Sequence, residues 1–174
     1  MGIIRLPSYA LTIEDVNSLS QKLKISNYIG CFMIDQLPSS PKAHECGVVN
    51  LQSSSFIGSH WVCWYKNNNN RIYFDSFGES PPPEVINYLK TKKELHESKL
   101  VIKQSCVTVQ KDDSKECGSL CLFVLYYLST GKTFETILNI LQERYSRVPY
   151  PLCLQNDELS KRARMEKTVS SRIT

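Results

Sequence analysis

Val109-Gln-Lys-Asp-Asp-Ser-Lys-Glu-Cys-Gly118 runs directly into the apolar stretch Ser119-Leu-Cys-Leu-Phe-Val-Leu-Tyr-Tyr-Leu128. A polar loop followed by such a run puts Cys117 at a loop-to-helix junction. The first N–H groups of a helix lack intrahelical acceptors and carry the positive end of its dipole, so a cysteine there favours its thiolate. A thiolate is the form that attacks a carbonyl.

Around this junction the chain divides into short elements. Downstream, a helix is predicted from Cys117 to about Ser129, stopped by Gly131, and another over Thr133 to Tyr145 with apolar residues at 134, 137, 138 and 141. Upstream, Leu100–Lys103 and Cys106–Val109 are strand candidates. Trp61-Val-Cys-Trp-Tyr65 and Arg71-Ile-Tyr-Phe-Asp75 form a hairpin across Lys66-Asn-Asn-Asn-Asn70, where asparagine accepts left-handed turn geometry. Ser80-Pro-Pro-Pro83 opens a helix from Glu84 to about Leu95, since proline is tolerated at a helix start. Cys46–Asn50 reads as a short strand between loops at 39–41 and 52–55, and Thr12 caps a helix over Ile13–Leu23.

At 174 residues with 41% apolar and 22% charged residues, the chain has the composition and length of one globular domain. We expect that domain over 1–159, with a basic, poorly ordered tail over 160–174. Seven cysteines are an odd number without the spacing of a secreted disulfide scaffold, which points to a reducing compartment. No apolar signal region opens the chain, and the run Leu120–Leu128 is far shorter than the roughly 18 residues that span a bilayer. The expectation is a soluble intracellular monomer without membrane contact. The net charge of +4 lies largely in the tail, as Lys161, Arg162, Arg164, Lys167 and Arg172, and fits either a solvated tail or an anionic partner such as DNA.

A thiol protease needs a nucleophile, a base, a group that orients the base, and donors for the oxyanion. His60 begins the first hairpin strand and Asp75 ends the second; antiparallel partners bring those two ends together. Gln110 lies in the loop leading to Cys117. Cys31, Cys63, Cys106 and Cys121 are read as core packing, because cysteine is among the most buried residue types.

The joint pattern is Gly58-Ser-His-Trp61, Ile72-Tyr-Phe-Asp-Ser-Phe-Gly78, Val109-Gln110 and Glu116-Cys-Gly118, preceded by His44-Glu-Cys-Gly-Val-Val-Asn50. It resembles the adenovirus-type cysteine protease family (adenain) from roughly Lys24 to Leu128. The resemblance implies an α+β, papain-like/adenain-like fold: a central, mainly antiparallel sheet flanked by helices, with the nucleophile at a helix N-terminus. It implies His60 as general base, Asp75 as its orienting group, Cys117 as nucleophile and Gln110 as oxyanion donor. The backbone N–H of Cys117 would be a second donor, Gly118 would relieve crowding there, and Trp61 would form either a wall of the site or plain core.

The implied activity is a thiol endopeptidase that cleaves viral or element-encoded structural precursor proteins, near glycine, during particle maturation in a virion or in the host nucleus or cytoplasm. Capsid or other precursor polyproteins would be its substrates. No metal or cofactor is implied; activation by DNA or by a peptide is a family trait, although Lys99 stands where the peptide-linking cysteine would be. That departure points to a Polinton/Maverick-type element or related virus as the source. Proteases that remove SUMO and ubiquitin-like modifiers form the main alternative: they share the residue order and an Asp-Ser turn like Asp75-Ser76, but their glutamine stands one residue nearer the cysteine. An inactive, protease-like peptide-binding domain is a second alternative. A zinc module is a third, but the chain has no Cys-x-x-Cys pair.

Overall fold

The computed structural model describes residues 5–57, 59–68, 70–90, 101–106, 108–111 and 113–145, and the backbone of 152–155. Its centre is a six-stranded sheet in the order β1 (Tyr28–Met33), β2 (His44–Asn50), β3 (Trp61–Asn67), β4 (Asn70–Phe74), β5 (Ile102–Ser105), β6 (Leu152–Gln155). The β2–β3, β3–β4 and β5–β6 pairs are antiparallel, and β1–β2 and β4–β5 are parallel. Helices α1 (Ile13–Lys22), α2 (Pro83–Leu89), α3 (Cys117–Ser129) and α4 (Phe134–Tyr145) complete an α+β fold.

Alternation along the central strands builds two cores. On one face Cys46, Val48, Trp61, Cys63, Ile72 and Phe74 pack with α3 and α4; on the other Val49, Val62, Trp64 and Tyr73 pack with Val85, Tyr88 and Leu89 of α2. Strands apolar on both faces in this way belong at the centre of a covered sheet. Helix α3 is buried at every residue from Cys117 to Leu125 and again at Leu128, as a helix apolar all round must be. Its burial fixes the thiol-bearing end against the sheet. At the opposite core Gly47 lies directly across from Trp64, and a Cβ there would sit 2.4 Å from the indole. Only glycine fits beneath that ring.

The first helix starts where the sequence indicates. Thr12 and Asp15 form a reciprocal capping box: Asp15 N–H donates to Thr12 Oγ1 at 3.2 Å, and Thr12 N–H donates to Asp15 Oδ2 at 3.0 Å. Other boundaries differ from expectation. Helix α2 stops at Leu89 rather than near Leu95: Lys90 is extended, and the buried Arg71 Nε donates to the Leu89 carbonyl at 2.9 Å, occupying an acceptor at the helix end. The continuation to 95 lies outside the described residues. Strands are expected at 100–103 and 106–109; among the described residues of this stretch there is one, Ile102–Ser105, set by its parallel register with Arg71–Tyr73, while positions 100 and 107 lie outside the described residues. Beyond it the chain is drawn off the sheet, because the N–H groups of Val109 and Gln110 both donate to the Ser76 carbonyl, at 2.8 and 3.1 Å.

Strands β1 and β6 were not expected. The register of β1 is irregular between Tyr28 and Gly30, and this breaks the period-two signal. Strand β6 lies near the end of the expected domain 1–159, in a stretch with no strand signal of its own; the basic segment 160–174 lies outside the described residues. Cys31, Cys46, Cys63, Cys117 and Cys121 are buried free thiols. Cys106 departs from the expectation of a plain core thiol, since it is disulfide-bonded. Among the described residues no helix is long and apolar enough to cross a membrane.

Candidate active site

Beyond β2 the described residues 51–57 and 59 lead to His60 at the start of β3. Asn50 ties the two ends of this stretch together, its Oδ1 accepting from the N–H groups of Gln52 at 3.0 Å and Ser59 at 3.2 Å. Strand β4 ends at Phe74, so Asp75 emerges beside His60. His60 Nε2 and Asp75 Oδ1 are 2.8 Å apart, with the carboxylate 1% and the imidazole 15% exposed. The same Oδ1 accepts from the Phe77 N–H at 2.8 Å, which turns the chain back and lays the Phe77 ring on His60, centroids 4.9 Å apart.

With Nε2 committed to Asp75, Nδ1 is the ring nitrogen left to interact with the Cys117 thiol, which lines the same cleft. Burial would push this imidazole down, but the hydrogen bonds and charges of Asp75 and Cys117 outweigh it and raise His60 to about 9. Burial also pushes the Cys117 thiol up; the His60 hydrogen bond, the Trp61 and Gly118 N–H groups and the His60 charge reverse that, and its pKa falls below the ordinary thiol value. Burial carries Cys31 up to about 12 and holds Cys46 and Cys121 above the thiol range. Cys117 moves the other way.

Helix α3 begins at Cys117 itself. Its N-cap, Glu116, makes no side-chain cap bond, so the first-turn N–H groups are not consumed by it. Gly118 is next: a Cβ on it would lie 3.2 Å from Trp61 Cδ1 and 3.3 Å from Leu11, tighter than ordinary packing. Trp61 is both wall and core, for it lines the cleft beside Cys117, is 8% exposed, and donates through Nε1 to the Leu11 carbonyl at 2.9 Å. Gln110 is 4% exposed; Ser76 Oγ donates to its Oε1 at 2.7 Å, and its Nε2 donates to the Ser114 carbonyl at 2.8 Å.

All of His60, Trp61, Gln110 and Cys117 line one cleft of about 710 Å3, with Asp75 behind His60 and Gly118 behind Cys117. The six residues singled out in the sequence therefore converge. Others in the site escaped that reading: Asn50, Ser76, Phe77 and the segment Ala10–Glu14, which forms part of the cleft wall. Ser76 and Phe77 were legible in principle as the residues of the Asp75–Gly78 turn; Ala10–Glu14 carried no signal beyond a helix start. Chemically, a thiol of lowered pKa beside an imidazole of raised pKa held by a carboxylate is set up to pass its proton to that imidazole, giving a thiolate–imidazolium pair. Among the described residues no three His, Cys, Asp or Glu side chains gather as metal ligands.

No protein-family model and no curated protein matches this chain. Among solved structures it is similar to the crystal structure of the ASFV pS273R protease, at 17% identity and a TM-score of 0.49 over 81% of this chain and 68% of that one. The selenomethionine crystal structure of that protease aligns at 22% identity and a TM-score of 0.38, over 63% of this chain and 46% of the other. At that level of likeness the chemistry rests on the residues of the cleft themselves.

Proposed function

We propose that this chain is a thiol endopeptidase in which Cys117 is the nucleophile, His60 the general base and acid, Asp75 the group that orients His60, and Gln110 an oxyanion donor. The observation that supports it most is the 2.8 Å hydrogen bond between Asp75 and His60 in a cleft that His60 and Cys117 line together, where Cys117 raises the His60 pKa and His60 lowers that of Cys117. Cys117 passes its proton to His60, and its thiolate adds to the scissile carbonyl. The tetrahedral oxyanion takes N–H groups from Gln110 Nε2 and the Cys117 backbone. His60 returns the proton to the departing amine, and water, deprotonated by His60, resolves the thioester. Thiolate, imidazole and amide donors suffice for these steps, and the scheme carries no cofactor.

For substrates we propose structural precursor proteins encoded by a virus or a Polinton/Maverick-type element, cut near glycine during particle maturation. Trp61 and Phe77 flank the reacting groups, and such walls favour small residues beside the scissile bond. Stimulation by DNA or a peptide belongs to the same proposal and is tested by adding either. A second reading, a modifier deconjugase, draws on the turn at Asp75-Ser76, the pair typical of those enzymes.

The experiment incubates the protein and its Cys117→Ala variant with precursor peptides containing Gly-X-Gly, with and without duplex DNA. In parallel, SUMO and ubiquitin bearing a C-terminal thiol-reactive group are offered as probes. Cleavage of peptides that is lost in Cys117→Ala is the expected result. Labelling by a modifier probe without peptide cleavage transfers the assignment to the deconjugase. Binding of peptide with neither cleavage nor labelling makes the chain a protease-like binding domain, and full cleavage by Cys117→Ala defeats the nucleophile assignment.

A further inference from the structure

Gln110 is gripped from three directions, and the grip leaves no choice in how its amide lies. Its carboxamide meets Ser114 C=O on one side and Ser76 Oγ on the other, at 2.8 and 2.7 Å. A carbonyl oxygen only accepts, so the NH2 group must face Ser114; a flipped amide would set oxygen against oxygen. Oε1 then faces Ser76, whose hydroxyl must donate. One NH2 hydrogen is used by Ser114, and the other remains for the cleft that Gln110 lines. The backbone is held as well, since the Ser76 carbonyl accepts from Gln110 N–H at 3.1 Å. Ser76 itself is wholly buried, at 0% exposure.

We infer that Ser76 is a positioning residue for the oxyanion site, fixing the Gln110 carboxamide so that one N–H points into the cleft. The inference rests on the reading of Gln110 as an oxyanion donor. Preorganised donors stabilise a developing charge because they need not reorient when it appears. A glutamine side chain with a free outer end would lose part of that advantage. Asp75, the preceding residue, holds His60, so a single turn sets the base and the oxyanion donor in one frame.

The test uses an activated ester, N-acetylglycine p-nitrophenyl ester, which must pass through a tetrahedral oxyanion, and iodoacetamide, which is attacked at a saturated carbon and forms none. Alkylation is followed by mass spectrometry on the peptide bearing Cys117. Gln110→Ala is expected to lower kcat for the ester about a hundredfold. Ser76→Ala is expected to lower kcat about tenfold with KM within about twofold, as looser positioning of a donor that acts only in the transition state requires. In the double variant, Ser76→Ala should cost no more than about a further twofold, because its effect passes through Gln110. Iodoacetamide should alkylate Cys117 at an unchanged rate in all three.

The inference is overturned if Ser76→Ala turns over ester at the wild-type rate, or loses as much in the Gln110→Ala background as alone. It is overturned equally if alkylation slows in Ser76→Ala, which would mean that the serine acts on the His60 turn instead. Should Ser76→Ala fail to fold, Ser76→Cys keeps nearly the same size with a weaker donor and is carried through the same cycle, where additivity again overturns it. Failure of the underlying reading has a separate signature: undiminished ester turnover in Gln110→Ala or in Cys117→Ala.

Discussion

Replacing Asp75 by asparagine keeps the shape of the turn and removes the charge that faces His60. The lift of the imidazole from 6.5 to about 9 corresponds to about 3 kcal/mol in favour of the imidazolium. His60 keeps 15% of its side chain exposed, and solvent screening reduces this to about 2 kcal/mol. Asp75 precedes Cys117 among the causes of that lift, so we assign it at least half, about 1–1.5 kcal/mol, or roughly tenfold in the thiolate–imidazolium population. The signs follow. Without the carboxylate the His60 pKa falls from about 9 and the Cys117 pKa rises, so the pH window of the ion pair narrows from both sides.

The assay is the pH dependence of Cys117 alkylation by iodoacetamide, with peptide cleavage alongside. In the wild type the reactive thiolate should appear below the ordinary thiol value, and cleavage should decline as pH rises through about 9. In Asp75→Asn the alkylation midpoint should rise by about one pH unit, and cleavage should drop at least about tenfold. Thermal stability gives an independent reading. A His pKa raised in the folded state stabilises fully below the unfolded value of 6.5 and ceases to do so as pH rises through about 9. The margin of wild type over variant should therefore be widest near pH 6 and close by about pH 10. An alkylation midpoint that stays in place, or a stability margin independent of pH, would refute the coupling.

Phe77→Ala should raise the His60 pKa further, because removing the ring 4.9 Å away relieves the burial that holds the imidazole down; the alkaline limb of cleavage then moves to higher pH, which a downward move would contradict. Gly47→Ala should destabilise by about 3 kcal/mol or prevent folding, since the new Cβ would lie 2.4 Å from Trp64, while turnover per folded molecule, counted by Cys117 alkylation, stays unchanged. Cys121→Ala should cost about 1 kcal/mol of stability from a small void in the core and leave cleavage intact, because Cys121 is fully enclosed and directs its thiol to the Trp61 carbonyl; abolished cleavage in a stably folded variant would reassign the nucleophile.

The elements legible in the sequence were those whose local chemistry and tertiary setting agree. Thr12 with Asp15 and the asparagine-rich hairpin turn signal locally the cap and the turn that the fold keeps, and the apolar run after Cys117 signals the helix that it buries. The misses have a tertiary cause. Strand β1 is interrupted by an irregular register at Tyr28–Gly30, β5 owes its boundaries to a parallel neighbour, and α2 ends where a buried arginine from β4 takes its last carbonyl. In the site, His60, Asp75, Gln110 and Cys117 stood out because unusual residue types recur in a recognisable order. Ser76 and Asn50 did not, since a serine in a turn and an asparagine at a strand end look ordinary until their hydrogen-bond partners are known.

The Trp61 indole donates to the Leu11 carbonyl, and Ser119 Oγ donates to the Pro7 carbonyl at 2.6 Å. These two bonds strap the segment before α1 across the start of α3. Since residues 10–14 also line the cleft, a change within 7–14 acts on the cleft wall directly. A proteolytic nick between Pro7 and Leu11 would therefore reshape the cleft while leaving His60, Asp75, Gln110 and Cys117 in place.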